Sequence, residues 1–268
     1  MKNYQKITFP KTRIATLDVC EVGRKKHHMK ALLELDVTDV RQLIKQNRAR
    51  TKKRLSFNGW LIKTISKTLE DFTGAHAYLK NKKTAVIFND IDISITVERE
   101  FDGELVPLPY VLRKTNEKNF YEISEEIYSV KNQTLGKDEI VLGQQNNRFS
   151  TNLYYALPGF LRRLIWKFIL THPTVAQRSM GSVILTSIGM MGKVNGWFIH
   201  TSVHPISFGV SSIIKKPGVV RDRIEIREFL NMTVLLDYDV IDGAPMARFI
   251  QRLAENVERG LGLDANEK

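Results

Sequence analysis

An α/β fold is predicted for this 268-residue chain, and three observations predict it. First, a short apolar run from Met232 to Leu236 leads through an acidic turn, DYDVIDG (237–243), into a helical segment. There Met246, Phe249, Ile250, Leu253 and Val257 recur at helical spacing on one face. Second, ALLELDV (31–37) reads as a strand and passes directly into the helical pattern VRQLIKQNRARTKK. Third, helical stretches at 57–72 and 119–130 bracket strand-like runs rich in β-branched residues. Strands and helices in such succession describe a sheet layered with helices.

Taken in order, residues 1–23 are mixed and polar and read as a short strand and turns leading in. Thr38 is placed to cap the helix that starts at Asp39. FNGWLIKTISKTLEDF (57–72) sets Trp60, Ile62, Ile65 and Leu69 at core spacing. Residues 84–88 and 91–97 are strands, the second alternating as ISITV. Asp102-Gly103 makes a turn, and LVPLPYVL (105–112) returns as an extended segment interrupted by Pro107 and Pro109. NFYEISEEIYSV (119–130) is a helix. Residues 144–180 contain LPGFLRRLIWKFILTHP, apolar and aromatic but broken by Arg162, Arg163 and Lys167. SVILTSIGMMG (182–192) is a strand ending in a hydroxyl pair before a glycine. In the last helix Pro245 sits in the first turn, where a missing amide costs nothing, and Gly260 is the stop.

Hydrophobic residues make up 43% and charged residues 26%, ordinary proportions for a globular protein. The single cysteine, Cys20, excludes an intrachain disulfide and fits a reducing compartment. The first residues lack the apolar core of a signal peptide, and no run approaches the roughly 18 apolar residues of a membrane span. A cytoplasmic location is expected. The net charge of +12 serves solubility or an anionic partner, with basic clusters at 24–26 and 48–54. Neither cluster interleaves with aromatics, so nucleic acid is a weak reading. His27, His76, His172, His200 and His204 show no catalytic or metal-ligand spacing, and Pro205 argues against a helix carrying His200 and His204. No metal site, Gly-rich phosphate loop or nucleophile elbow is expected.

DYDVIDGAP followed by ARF resembles the active-site signature of the acyltransferase core of 2-oxoacid dehydrogenase complexes. That core shares its fold with chloramphenicol acetyltransferase, and both carry a histidine, three residues, then Asp-Gly. Tyr238 stands in the histidine slot here, while Asp242, Gly243 and Ala244 match. ELDVTDV and FDGELVPLPYVLRKTNEKNFYEISEEI resemble further pieces of the same core. The resemblance therefore runs over roughly residues 28–260, apart from 144–180. It implies a two-layer α/β sandwich, a mixed sheet with helices packed on one side, as one catalytic-type domain over residues 1–268. It also implies a homotrimer with active sites between subunits and coenzyme A as a substrate. Nothing resembles a lipoyl or subunit-binding module, so no covalently bound lipoyl is expected. The acyl group would then come from elsewhere, for example on an acidic carrier domain supplied in trans. The 144–180 segment is expected to pack on the trimer or cover an active-site mouth, or to touch a membrane surface through 158–170, because basic residues beside Leu, Ile and Trp suit an interface.

Site residues follow from the same resemblance. Thr186 falls in the oxyanion-donor slot with Ser187 beside it, and on a strand only one of the two can face the channel. Ser187 and Gly189 are candidate coenzyme A contacts. Asp242 is expected to orient the site through a buried ion pair, with Arg13 as its partner, and also to cap the helix it enters. A phenol with a pKa of about 10 is about 0.1% ionised at neutral pH, whereas an imidazole near 6.5 is a ready base. Tyr238 is thus a poor replacement. His28 is the candidate substitute base, since HHMKALLELDVT resembles a family segment with a histidine there; a partly exposed histidine at a strand start is the plainer reading. Two functions remain open: a coenzyme A-dependent acyltransferase, or a catalytically silent trimer of the same fold used for binding or scaffolding.

Overall fold

The computed structural model describes residues 3–9, 11, 13–101, 104–132, 153–189, 192 and 194–263, with the backbone alone at 99–101 and 104–107. The chain opens with α1 (Arg13–Gly23), β1 (His28–Asp36), α2 (Thr38–Thr51) and α3 (Phe57–Asp71). A small hairpin, β2 (Tyr78–Asn81) and β3 (Thr84–Val86), precedes β4 (Ile93–Phe101), β5 (Glu104–Leu112) and α4 (Phe120–Asn132). Then come α5 (Gly159–Thr171), α6 (Pro173–Met180), β6 (Val183–Ser187), β7 (Ile206–Val220), β8 (Arg223–Asp237) and α7 (Gly243–Glu258).

Six strands form one mixed sheet in the order β1-β8-β7-β6-β4-β5. β6 pairs in parallel with β4 and β7, and the other pairs are antiparallel. Strand alternation sorts the side chains onto two faces. On one face Val183, Leu185, Ile206, Phe208, Met232, Val234 and Leu236 join Trp60 and Ile65 of α3 and Phe249 and Leu253 of α7 in a single core. Each such side chain contributes roughly 1.5–3 kcal/mol on burial. The other face, free of this helical layer, carries Thr186, Ser207, Gly209, Thr233 and Asp237. A second, smaller cluster joins Tyr78, Trp166, Ala176, Met180 and Val203 with Val19, Val22, Ile169 and Leu170.

Several expectations are corrected. Residues 13–23 are helical, not a strand with turns. The run RIATLDVCEVG is poor in strong helix formers, so tertiary contacts decide. Val19 and Val22 pack on the Trp166 cluster, and Asp18 is buried against Arg162. Thr38 is the first residue of α2, not its cap. Its hydroxyl donates to Asp36 Oδ1 at 2.6 Å, and its amide donates to the same oxygen at 3.0 Å, so the capping role falls to Asp36. α2 stops at Thr51 because Lys52 adopts the left-handed conformation at φ 55°. The run from Met232 to Leu236 is only the end of the 15-residue β8, and β7 is equally long. The expected turn at 102–103 and residues 144–152 lie outside the described residues.

Candidate active site

Where β8 ends, its neighbours hold the acidic turn. The Asp237 amide donates to Pro205 O at 2.9 Å, and the Tyr238 amide donates to His27 O at 3.0 Å. The Asp237 side chain is fully buried and meets Lys26 Nζ at 2.6 Å. Asp237 Oδ1 also accepts the Asp239 amide at 3.3 Å, and Asp239 in turn meets His27 Nδ1 at 2.9 Å on the exposed side. Tyr238 is therefore flanked by two tethered carboxylates. Tyr238 itself is 49% exposed, and its hydroxyl has no hydrogen-bond partner among the described residues.

Three histidines converge behind this corner. His28, opposite Asp237 in the β1–β8 register, donates from Nε2 to His204 O at 2.9 Å. That bond fixes its tautomer and leaves the lone pair on Nδ1. His204 is buried and donates from Nε2 to Met180 O at 3.0 Å. His200 pairs through Nε2 with the Ser207 hydroxyl, and its Nδ1 is buried without a partner. Burial pushes all three imidazoles below their ordinary range, His204 to about 4. His76, fully buried and bonded to Ser182 Oγ at 3.0 Å, is likewise driven down to about 4 by burial.

A pH dependence follows. In the unfolded chain these histidines take a proton near 6.5, while folded His76 and His204 resist it down to about 4. The stability of the neutral folded form is fully present above pH 6.5 and is lost as pH falls toward 4. Each residue contributes a slope of about 1.4 kcal/mol per pH unit in that window. Urea midpoints measured between pH 7.5 and 4.5 should fall steeply, and less steeply in His204→Gln.

Thr186 lies on the helix-free face, its hydroxyl without a hydrogen-bond partner among the described residues. Leu185 and Ser187 have the opposite parity, so alternation gives the helix-free side to Thr186 and not to Ser187. In register, Thr186 is level with Gly209 of β7 and Thr233 of β8. A Cβ on Gly209 would lie 2.8 Å from His200 Nδ1 and 3.1 Å from Phe198 O, so only glycine lets the segment before β7 cross here. Thr233 Oγ1 is buried without a partner in the same row. Gly189 has a packing reason of its own: a Cβ there would meet Ser211 O at 2.5 Å.

Within one chain the structure does not bring Thr186 and Tyr238 together. Tyr238 is five residues past the level of Thr186 on β8, roughly 16 Å along the strand. Nor does it pair Asp242 with Arg13. Asp242 is exposed, makes no capping bond from its side chain, and meets no basic group among the described residues; Arg13 lies over the Phe9 ring at 5.5 Å. The buried ion pair belongs to Asp237 and Lys26 instead, because Asp237 is still in the sheet while Asp242 has left it.

Lys26 and Asp237 carry no site signal of their own in the sequence, and His200 and His204 are read there as ordinary structural or surface residues. Their only advance signals are the basic run at 24–26 and the four-residue histidine spacing. Likewise unmarked in the sequence is a cleft of about 690 Å³ beside α2, lined by Arg41, Lys45, Arg48 and Lys215 above Phe57 and Ile226. Arg41 is tied to Glu228 at 2.8 Å and Arg48 Nε donates to Leu55 O at 2.6 Å, which leaves an excess of positive charge in the cleft. Glu228 has the parity of the β8 core residues Met232, Val234 and Leu236, and Lys215 pairs with it beyond the register shift between Val210 and Ile213, so the cleft opens on the helical side. Among the described residues no group of three or more His, Cys, Asp or Glu side chains could hold a metal ion.

Comparison with known proteins supplies the relationship. A solved probable dihydrolipoamide acetyltransferase from Listeria monocytogenes superposes with a TM-score of 0.69 at 18% identity, covering 100% of this chain and 99% of that one. A solved chloramphenicol acetyltransferase gives a TM-score of 0.51 at 11% identity, covering 95% and 96%. Both share the two-layer fold. In sequence, the dihydrolipoyllysine-residue acetyltransferase component of the pyruvate dehydrogenase complex of Rickettsia felis is 22% identical over 221 residues, 82% of this chain and 44% of that protein. The chain spans about half the length of the curated relatives it matches. The family model described as 2-oxoacid dehydrogenases acyltransferase (catalytic domain) matches residues 6–139 and 173–263. With that much of its length matched, the chain belongs to the family of 2-oxoacid dehydrogenase acyltransferase catalytic domains.

Proposed function

We propose that this chain is a coenzyme A-dependent acyltransferase domain whose active site forms between the subunits of a trimer. The observation that carries the reading is the Thr186 hydroxyl, unpartnered on the helix-free face and placed to donate to a tetrahedral oxyanion. The basic cleft beside α2 is suited to the phosphates of coenzyme A. Cleft and Thr186 open on opposite faces of one sheet, and Tyr238 is a strand's length from Thr186. A site shared between subunits would let one cofactor reach all three, which supports the trimer reading. His28, kept neutral by burial and with Nδ1 unprotonated, is the group suited to take the proton of the attacking thiol. The acyl group is delivered by a separate carrier. The silent-scaffold reading is favoured by one observation, the Tyr238 hydroxyl without a partner to accept its proton.

Turnover of acetyl-coenzyme A with dihydrolipoamide tests the proposal. Thr186→Ala should lower it by on the order of 10²–10³-fold while leaving coenzyme A binding, followed by calorimetry, unchanged. Lys215→Glu should weaken binding instead. Binding without turnover in the wild type would favour the scaffold; absence of both would remove the proposal.

A further inference from the structure

Helix α5 is fixed to the protein by one face. On that face Trp166 is buried, and Ile169 and Leu170 pack into the small cluster with Met180 and Val203. Arg162 Nε meets the buried Asp18 of α1 at 2.7 Å. The Tyr154 hydroxyl donates to the same carboxylate at 2.7 Å and accepts the Trp166 indole N–H at 3.1 Å. An ion pair, a polar chain and an apolar cluster together set the rotation of the helix about its axis. Its outer face is therefore presented by design of the contacts beneath it.

That outer face carries Phe160, Leu164 and Phe168 at i, i+4 and i+8, exposed by 57%, 57% and 53%. Three bulky apolar groups in one stripe differ from the scattered apolar exposure of an ordinary surface. Arg163 and Lys167 are exposed alongside the stripe, and α5 contains no Asp or Glu. Glu21 of α1 meets Arg163 across 3.7 Å with both side chains nearly half exposed. The adjacent arginines thus divide: Arg162 turns inward to its ion pair, and Arg163 stays at the rim.

We propose that the outer face of α5 rests on an anionic lipid surface, with Phe160, Leu164 and Phe168 in the headgroup–acyl boundary and Arg163 and Lys167 against the lipid phosphates. A convex helix with an apolar stripe and flanking long cations suits a planar interface, where the cations reach up to the headgroups. The net charge of +12 favours an anionic surface over a neutral one. The family match stops at residue 139 and resumes at 173, so α5 lies outside the residues that the family model matches. At 13 residues it cannot span, and no helix among the described residues is long and apolar enough to cross a membrane.

Flotation of the full chain with vesicles tests this, using phosphatidylcholine alone and phosphatidylcholine mixed with phosphatidylglycerol. Wild type is expected to float with the mixed vesicles, less so at high salt, and to stay behind with phosphatidylcholine alone. Arg163→Gln with Lys167→Gln should lower partitioning by on the order of 20- to 30-fold. Leu164→Ser with Phe168→Ser should lower it by on the order of 100-fold. Circular dichroism and thermal unfolding establish that both variants fold. Failure of wild type to float overturns the proposal in favour of a protein partner, and flotation unaffected by either variant overturns it by moving the contact elsewhere. A smaller oligomer for Leu164→Ser/Phe168→Ser by light scattering, without vesicles, would assign the face to contacts between copies and equally overturn it.

Discussion

Lys26→Met is expected to lower stability by about 3–5 kcal/mol, the cost of leaving a buried carboxylate without its cation. Asp237 has no solvent exposure, and its remaining polar contact is the Asp239 amide at 3.3 Å, too weak to replace an ammonium at 2.6 Å. Urea unfolding of the variant measures the loss. The double variant Lys26→Met/Asp237→Leu should recover much of it, since the penalty lies in the orphaned charge and not in the missing attraction. A loss below about 1 kcal/mol in the single variant would mean that water reaches Asp237. Because Tyr238 follows Asp237 directly, the same variant should also loosen the acidic turn, visible as faster amide exchange at 238–240.

In a His28→Ala background, Tyr238→His is expected to raise thioester turnover by on the order of 10²–10⁴-fold, the usual contribution of a positioned general base. The substitution is conservative in structure: the Tyr238 amide bond to His27 O is made by backbone, and the half-exposed position leaves room for an imidazole. The gain should appear as pH rises through about 6.5, where an exposed imidazole becomes neutral. His28→Ala separates the two bases: it should abolish wild-type turnover if His28 is the base, and leave Tyr238→His active. No gain in Tyr238→His, with no loss in Thr186→Ala, would place the chemistry at neither residue.

The fold was legible where a periodic pattern met a long buried face. α7 was readable from Met246, Phe249, Leu253 and Val257, all of which are buried, and α3 from Trp60, Ile62, Ile65 and Leu69. α1 was not, because what makes it helical is Asp18 meeting Arg162, a contact 144 residues away in the chain. The length of β7 and β8 was hidden too: beyond the core their outer halves carry Lys215, Lys216, Arg227 and Glu228, so the apolar run ends before the strands do. At the candidate site, motif and spacing single out Tyr238 and Thr186 as candidates. Whether Asp237 or Asp242 holds the buried charge could not be read there, because two carboxylates five residues apart differ only in which is still inside the sheet. Lys26 finds Asp237 across 211 residues, and register alone sets that meeting.

The two margins of the sheet are chemically unequal. Pro107 and Pro109 of β5 pair in register with Glu98 and Thr96 of β4, so the ladder on that side continues, and both absent amides belong to the outward side of the strand. A stranger strand offered to β5 would find consecutive donor positions blank. β1 keeps its amides from His28 to Asp36 and pairs with one strand, β8, while its last amide, that of Asp36, donates to Glu258 Oε1 at 3.2 Å. Growth of this six-stranded sheet by strand addition, whether ordered or pathological, is thereby steered to its β1 rim.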